Sequence, residues 1–299
     1  MATSPSDNDP QGFADMIKAI VLDLDGTLLN SRKEITPDTK QALLKAQKAG
    51  IRLALASARS LNGLARFGRQ LELERNHGML ICYNGGLISD AQTGQTLYSR
   101  AMPKELAAEI CRFLKQYDVV PMIDRGKYLY LHDAFGGKIH YNGSELDIIR
   151  YEARSNEFLI CETEDLAEWI DFDVPKILVA AEPELLDETE EELAAPFRDR
   201  AKAGRTAPYY FEYNAKDADK AAAMLQAFEA AGISPDEMMA FGDAQNDESM
   251  IRAVGYGIAM GNAVDSLKQA AFGVTDDCDH DGIAKAIYRH IPGIAEIQL

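Results

Sequence analysis

The chain has 299 residues, enough for two domains, and its 46% hydrophobic content can bury a sizeable core. Its 31 Lys and Arg against 48 Asp and Glu give a formal charge of −17, which excludes a nucleic-acid backbone as partner because no basic surplus exists to neutralise it. No apolar run reaches bilayer length and the start lacks a signal-peptide pattern, so no membrane partner is expected. The four cysteines form no CxxC pair, and a reduced, cytoplasmic protein is expected. Composition leaves a small phosphorylated metabolite open as partner, and says nothing of oligomeric state.

Residues 1–16 are polar, hold two prolines, and read as a flexible tail. Residues 17–22 are short, apolar and β-branched, which predicts a strand buried on both faces of a parallel sheet. They run into Asp23-Leu24-Asp25-Gly26-Thr27. A helix is predicted over 37–49, with Thr36 as cap, Pro37 at its first position and Gly50 as its stop. A strand over 51–56 completes a right-handed βαβ unit. A third strand over 79–83 ends at Asn84-Gly85-Gly86.

From 98 to 213 the alternation breaks down. A helix is predicted over 103–117, and a strand pair over 119–123 and 128–132 joined at Asp124-Arg125-Gly126. Further strands are predicted over 176–181 and 209–213, with an acidic helix over 184–203. Neighbouring strands of this kind imply an antiparallel sheet with helices, a separate α+β module. The parallel pattern resumes with a helix over 217–231, a strand over 238–241 ending in Gly242-Asp243, a helix over 246–254 and a strand over 257–260. The predicted fold is therefore a doubly wound, Rossmann-like α/β core built from 17–86 and 215–299, with an α+β module inserted at 87–214.

Asp23, Asp25, Asp243 and Asp247 all fall at strand ends. Open α/β sheets bind ligands there, and side chains from neighbouring strands can converge however far apart they lie in sequence. Converging carboxylates repel and need a cation, and an all-oxygen site suits Mg²⁺. Two carboxylates in one site can divide the work, one attacking while the other handles the leaving group's proton. Asp23-Leu24-Asp25 alone also fits a pair of loop acids or the metal-binding DxD of a glycosyltransferase. The five-residue string after a buried strand is more specific, and a second acidic strand end strengthens it.

These strings together resemble the haloacid dehalogenase-like (HAD) hydrolases. Asp23 to Thr27 is similar to their first motif, Ser57-Ala58-Arg59 to the second, Lys220 to the third, and Gly242-Asp243-Ala244-Gln245-Asn246-Asp247 to the fourth. Asn84-Gly85-Gly86, Ala259-Met260-Gly261-Asn262-Ala263 and Asp281-Gly282 resemble the Cof-type subfamily, IIB. The resemblance runs from Ile17 to Ile291 and implies a phosphatase with a C2B-type cap. It implies that Asp23 forms an aspartyl-phosphate and that Asp25 protonates the leaving group and then activates water. Mg²⁺ would be held by Asp23, the Asp25 carbonyl and Asp243. Ser57, Lys220 and Asn246 would contact the phosphoryl group, with Asp247, Arg59, Asn84 and Gly85 in support. Two positions depart from the family pattern: the second motif is Ser-Ala-Arg where Thr-Gly-Arg is common, and Ala221 follows Lys220 where glycine is usual.

Lys220, opening a helix, offers a compact charge to a dianion. Arg59 can bind a substrate anion or anchor its loop through a carboxylate. Asp124, Arg125, His132 and His140 read as surface or structural residues of the inserted module, with Arg125 the first choice if one reaches substrate. Cys278 and His280 read as a solvated loop, and Trp169 as packing. The predicted activity is hydrolysis of small phosphate monoesters, such as sugar phosphates or phosphorylated vitamins like flavin mononucleotide or pyridoxal phosphate. A hexose-phosphate mutase and a non-catalytic metabolite-binding module are the alternatives.

Overall fold

A computed structural model describes residues 17–299, so the predicted tail over 1–16 lies outside the described residues. The first sheet opens with β1 (Ala19–Leu22), β2 (Arg52–Ala56), β3 (Met79–Cys82), β4 (Leu87–Asp90) and β5 (Thr96–Ser99). Helices α1 (Pro37–Lys48) and α2 (Leu61–Gln70) link its first three strands. Between β5 and the return to this sheet come α3 (Lys104–Leu114), β6 (Val120–Arg125), β7 (Tyr128–Leu131), β8 (Lys138–Tyr141), β9 (Ser144–Asp147) and α4 (Ile148–Ser155). They are followed by β10 (Leu159–Glu162), α5 (Leu166–Trp169), β11 (Lys176–Ala180), α6 (Pro183–Ala194), β12 (Ala201–Ala207) and β13 (Tyr210–Ala215). The chain then returns through α7 (Lys220–Glu229), β14 (Met238–Gly242), α8 (Glu248–Arg252), β15 (Tyr256–Ala259), α9 (Asp265–Ala270), β16 (Gly273–Val274) and α10 (Gly282–His290).

The first sheet runs β16-β15-β14-β1-β2-β3-β4-β5, parallel as far as β3 and antiparallel at β4 and β5. Every residue of β1 is buried, as a central strand covered on both faces requires. Ile20 and Leu22 join the core packed with α1 and α10, while Ala19 and Val21 face α7. The strand order reverses around β1, whose neighbours are β14 and β2, and this is where an open α/β sheet forms its ligand crevice.

The second sheet runs β10-β7-β6-β11-β13-β12, antiparallel except for the parallel β10–β7 pair. One of its faces is buried under α3, α5 and α6 through Ile123, Ile177, Val179, Phe211 and Tyr213.

Three expectations change here. The sequence places residues 87–99 in the inserted module, but β4 pairs with β3 and β5 with β4, so both extend the first sheet. The helix predicted over 184–203 stops at Ala194, passes through a 3-10 turn at Ala195–Phe197, and gives way to β12. Pro196 lacks the N–H a longer helix needs, and β12 exists because β13 offers it an edge. The helix over 246–254 is a 3-10 turn at Gln245–Asp247 followed by the short α8.

Candidate active site

Strand register assembles the site. Leu22 lies opposite Leu55 on β2 and Phe241 on β14, so the next residues along each strand leave the sheet at one level. Asp23 follows Leu22, and its N–H donates to the Phe241 carbonyl. Ser57 and Asp243 leave β2 and β14 on either side of it. One carboxylate oxygen from each of Asp23, Asp243 and Asp247 lies within 4.8 Å of the others.

Gly26 makes this approach possible. Its φ of +87° is left-handed, and a Cβ there would fall 2.4 Å from Asp243 Oδ2. Thr27 Oγ1 donates to Asp243 Oδ1 at 2.9 Å, and Asn262 Nδ2 donates to the Gly26 carbonyl at 2.8 Å. The loop after β1 is therefore fastened to the loops after β14 and β15.

Lys220 opens α7, capped by Asp219, and its side chain is 1% exposed. Its Nζ donates to Asp23 Oδ1 at 2.6 Å and to Asp247 Oδ1 at 2.7 Å. Burial opposes its charge, but the two carboxylates outweigh burial and push its pKa up. Asp247 Oδ2 accepts the backbone N–H groups of Asp243 and Ala244 at 3.0 and 3.1 Å, so both of its oxygens are engaged within the protein. Burial first, then repulsion from Asp247, pushes the Asp23 carboxyl up to about 8 against the pull of Lys220. Burial also raises Asp243.

The Asp25 side chain is not part of this group. It turns toward Arg59, whose Nε and Nη2 reach its two oxygens at 2.7 and 2.8 Å, and toward Lys33 Nζ at 2.8 Å. Burial alone would raise its pKa, but these two cations lower it to about 2. Ser57 is buried at the base of the cleft, and its Oγ accepts the Arg59 N–H at 3.2 Å. Asn84 donates its N–H to the Ser57 carbonyl and accepts from Asn246 Nδ2 at 3.2 Å. Asn246 itself is exposed. Gly85, at φ +96°, lies so close to the start of α7 that a Cβ would fall 2.2 Å from the Asp219 carbonyl. The supporting turn thus touches both the Ser57 loop and the helix that carries Lys220.

A cleft of about 370 Å³ runs from Asp25, Ser57 and Arg59 to the second sheet. Its far wall includes Asp124, Tyr151, Glu152, Lys176, Tyr210 and Glu212. Sequence reasoning missed this wall, apart from Asp124, which it read as a surface or structural residue. Alternation offered a signal. In Phe211-Glu212-Tyr213-Asn214 every second residue is polar. Arg125 does not reach the cleft: it pairs with Asp171 at 2.8 Å and stacks over Phe172 at 4.3 Å. His132 and His140 sit on the surface against Thr163 and Glu182, His280 pairs with Asp277, and Trp169 stacks on Tyr130.

Residues 20–287 match the model of the haloacid dehalogenase-like hydrolases. The chain belongs to that family. This HAD hydrolase is 32% identical to a haloacid dehalogenase-like hydrolase from Bacteroides thetaiotaomicron whose crystal structure superposes with a TM-score of 0.84, covering 91% of this chain and 99% of that one. It is 28% identical over 291 residues to a pyridoxal phosphate phosphatase from Escherichia coli, covering 92% of this chain and 98% of the relative. It is also 28% identical over 274 residues to a 5-amino-6-(5-phospho-D-ribitylamino)uracil phosphatase from Bacillus subtilis, covering 92% and 95%. The HAD hydrolase is thus an enzyme of a phosphatase family, with the α/β core and cap of that fold. No helix among its described residues is long and apolar enough to cross a membrane.

Proposed function

We propose that the protein is a Mg²⁺-dependent phosphatase that hydrolyses small phosphate monoesters through an aspartyl-phosphate on Asp23. The observation that carries this reading is the buried Asp23 carboxylate, bonded to Lys220 and grouped with Asp243 and Asp247. Three carboxylates against one ammonium leave a negative surplus with only oxygen donors, which fits a hard divalent cation. Asp23 and Asp243 would hold it, since both oxygens of Asp247 are already engaged. The ion would neutralise charge on the phosphoryl oxygens.

The remaining work falls to the chain. Asp23 Oδ attacks phosphorus, forming the O–P bond as the ester O–P bond breaks. Asp25 handles the proton of the leaving oxygen, then that of the hydrolytic water. Here Arg59 and Lys33 hold Asp25 ionised, so it serves as acid with a proton brought by the monoanionic ester, while the Arg59 fork keeps it in place. Lys220 and the Ser57 hydroxyl hold the phosphoryl oxygens. Small substrates follow from a cleft of about 370 Å³, and the relatives' names support phosphorylated vitamins and their precursors. Four free cysteines support a reducing, cytoplasmic setting.

Phosphate release from p-nitrophenyl phosphate and a panel of sugar and vitamin phosphates tests the proposal. Asp23→Asn is nearly isosteric and should lower turnover at least about 10³-fold with an unchanged circular dichroism spectrum. Full activity in that variant refutes the assignment.

A further inference from the structure

The second sheet turns a charged face toward the core. Asp124 on β6, Lys176 on β11 and Glu212 on β13 share the face opposite the one buried under the helices, and α4 adds Glu152. Three carboxylates therefore meet one ammonium at the far wall of the cleft. That ammonium is committed: Lys176 Nζ donates to Glu212 Oε1 and to the Ala58 carbonyl, each at 3.1 Å. Glu152 accepts from Tyr210 and Asn156, and Asp124 accepts from Tyr83. Burial raises the pKa of both Asp124 and Glu152, so each resists taking up charge. Protonated or ionised, a carboxyl oxygen still has free lone pairs, so the wall retains acceptor capacity. Between these groups lie Met122, Leu129, Phe158 and Leu178, which supply an apolar floor.

The phosphoryl end of the cleft has the opposite character. Arg59 and Lys33 stand there beside Asp25 and the Ser57 hydroxyl. A monoester lying along the cleft would place its phosphate among donors and its alcohol portion among acceptors.

We propose that this wall selects leaving groups rich in hydroxyl or N–H donors and rejects those bearing a second anionic group. Hydroxyls would donate to Glu212, Glu152 and Asp124 and keep those buried acceptors satisfied. A second phosphate or a carboxylate would lose its hydration beside buried carboxyls that already resist charge, and Lys176, bonded to Glu212 and the Ala58 carbonyl, would have to turn from them to pair with it. Neutral polyol and sugar monophosphates fit the wall; bisphosphates and phosphorylated sugar acids do not. The inference rests on the phosphatase reading above and adds its substrate class.

The test is a matched pair of esters that differ at one end. D-Glucitol 6-phosphate ends in a CH₂OH group where 6-phosphogluconate ends in a carboxylate, and p-nitrophenyl phosphate serves as a reference ester. The wild-type kcat/KM for the polyol ester should exceed that for the acid by about 50-fold or more, because a carboxylate buried without a cationic partner is strongly unfavourable. Glu212→Gln, and independently Glu152→Gln, should shrink that ratio about fivefold or more, mainly through a lower KM for the acid. Equal or reversed preference in the wild type overturns the inference. So does a ratio that neither substitution changes. Silence toward all three esters refutes the phosphatase reading itself and takes the inference with it.

Discussion

The Arg59 guanidinium closes on the Asp25 carboxylate as a fork, Nε on Oδ2 at 2.7 Å and Nη2 on Oδ1 at 2.8 Å. The second motif is thereby locked to the first. Of the two uses the sequence allowed for Arg59, carboxylate anchor or substrate ligand, the structure displays the anchor. A planar fork holds a carboxylate at one angle, and a lysine ammonium cannot. Arg59→Lys should therefore lower kcat/KM for p-nitrophenyl phosphate by about 10- to 100-fold while the melting temperature stays close to wild type, because a misoriented acid loses rate rather than fold. Steady-state kinetics beside a thermal melt will show whether the two separate.

Lys220 is bonded between Asp23 and Asp247, and removing it strands two buried carboxylates. Lys220→Met should destabilise the chain by about 3–5 kcal/mol, the usual penalty for breaking a buried ion pair from one side. Urea unfolding in the presence of a chelator measures this; an unchanged midpoint would mean that the carboxylates find another partner.

The acidic group should also report on metal directly. Saturating Mg²⁺ should raise the unfolding free energy of the wild type, by about 2.7 kcal/mol at a hundredfold excess over Kd. Asp243→Asn should lose most of that gain, and chelation should bring wild-type phosphate release to background. Turnover that survives exhaustive chelation would contradict the proposed Mg²⁺ requirement.

Gly26 tests the packing of the first motif against the fourth. Gly26→Ala sets a Cβ 2.4 Å from Asp243 Oδ2 at a φ of +87°, so the carboxylate must move. Turnover should fall about 100-fold or more, with the apparent Mg²⁺ affinity falling as well. A metal titration followed by phosphate release reads both, and wild-type values would show that Asp243 has room to shift.

Asp124 carries a pH signature in stability. Burial raises its pKa despite the hydrogen bond from Tyr83. A carboxyl whose folded pKa lies above its unfolded value binds more protons folded than unfolded. Stability from this group is therefore highest below the unfolded value and declines as pH rises toward the folded one. Asp124→Asn removes that dependence, so the variant should gain stability relative to wild type as pH rises from about 4 to 7. Chemical denaturation across that range measures the difference, and a difference that shrinks with rising pH would reverse the assignment.

Much of the core was legible in sequence because its signals are local. A buried strand shows as an apolar run, Thr36 and Pro37 mark a helix start, and Asp23 and Asp243 each sit one step past such a run. Local signals do not name partners. Leu87 to Ser99 carries no mark saying which sheet it extends, and the helix-favouring composition around Ala194 hides a strand that exists only because β13 has a free edge. The same holds at the wall of the cleft, where Asp124, Lys176 and Glu212 lie on three strands that become neighbours only when β11 pairs with both β6 and β13.

The sequence by itself determined the fold class, the inserted second module and the acidic strand ends, because each depends on residues within a turn or strand of one another. Tertiary structure decided that Asp247 is committed to Lys220 and two backbone N–H groups, that Arg59 faces Asp25, and that a carboxyl-rich wall faces them across the cleft. Those facts depend on register between strands and on burial, which set distances and charge balance among residues more than two hundred positions apart, as with Thr27 and Asp243, 216 apart.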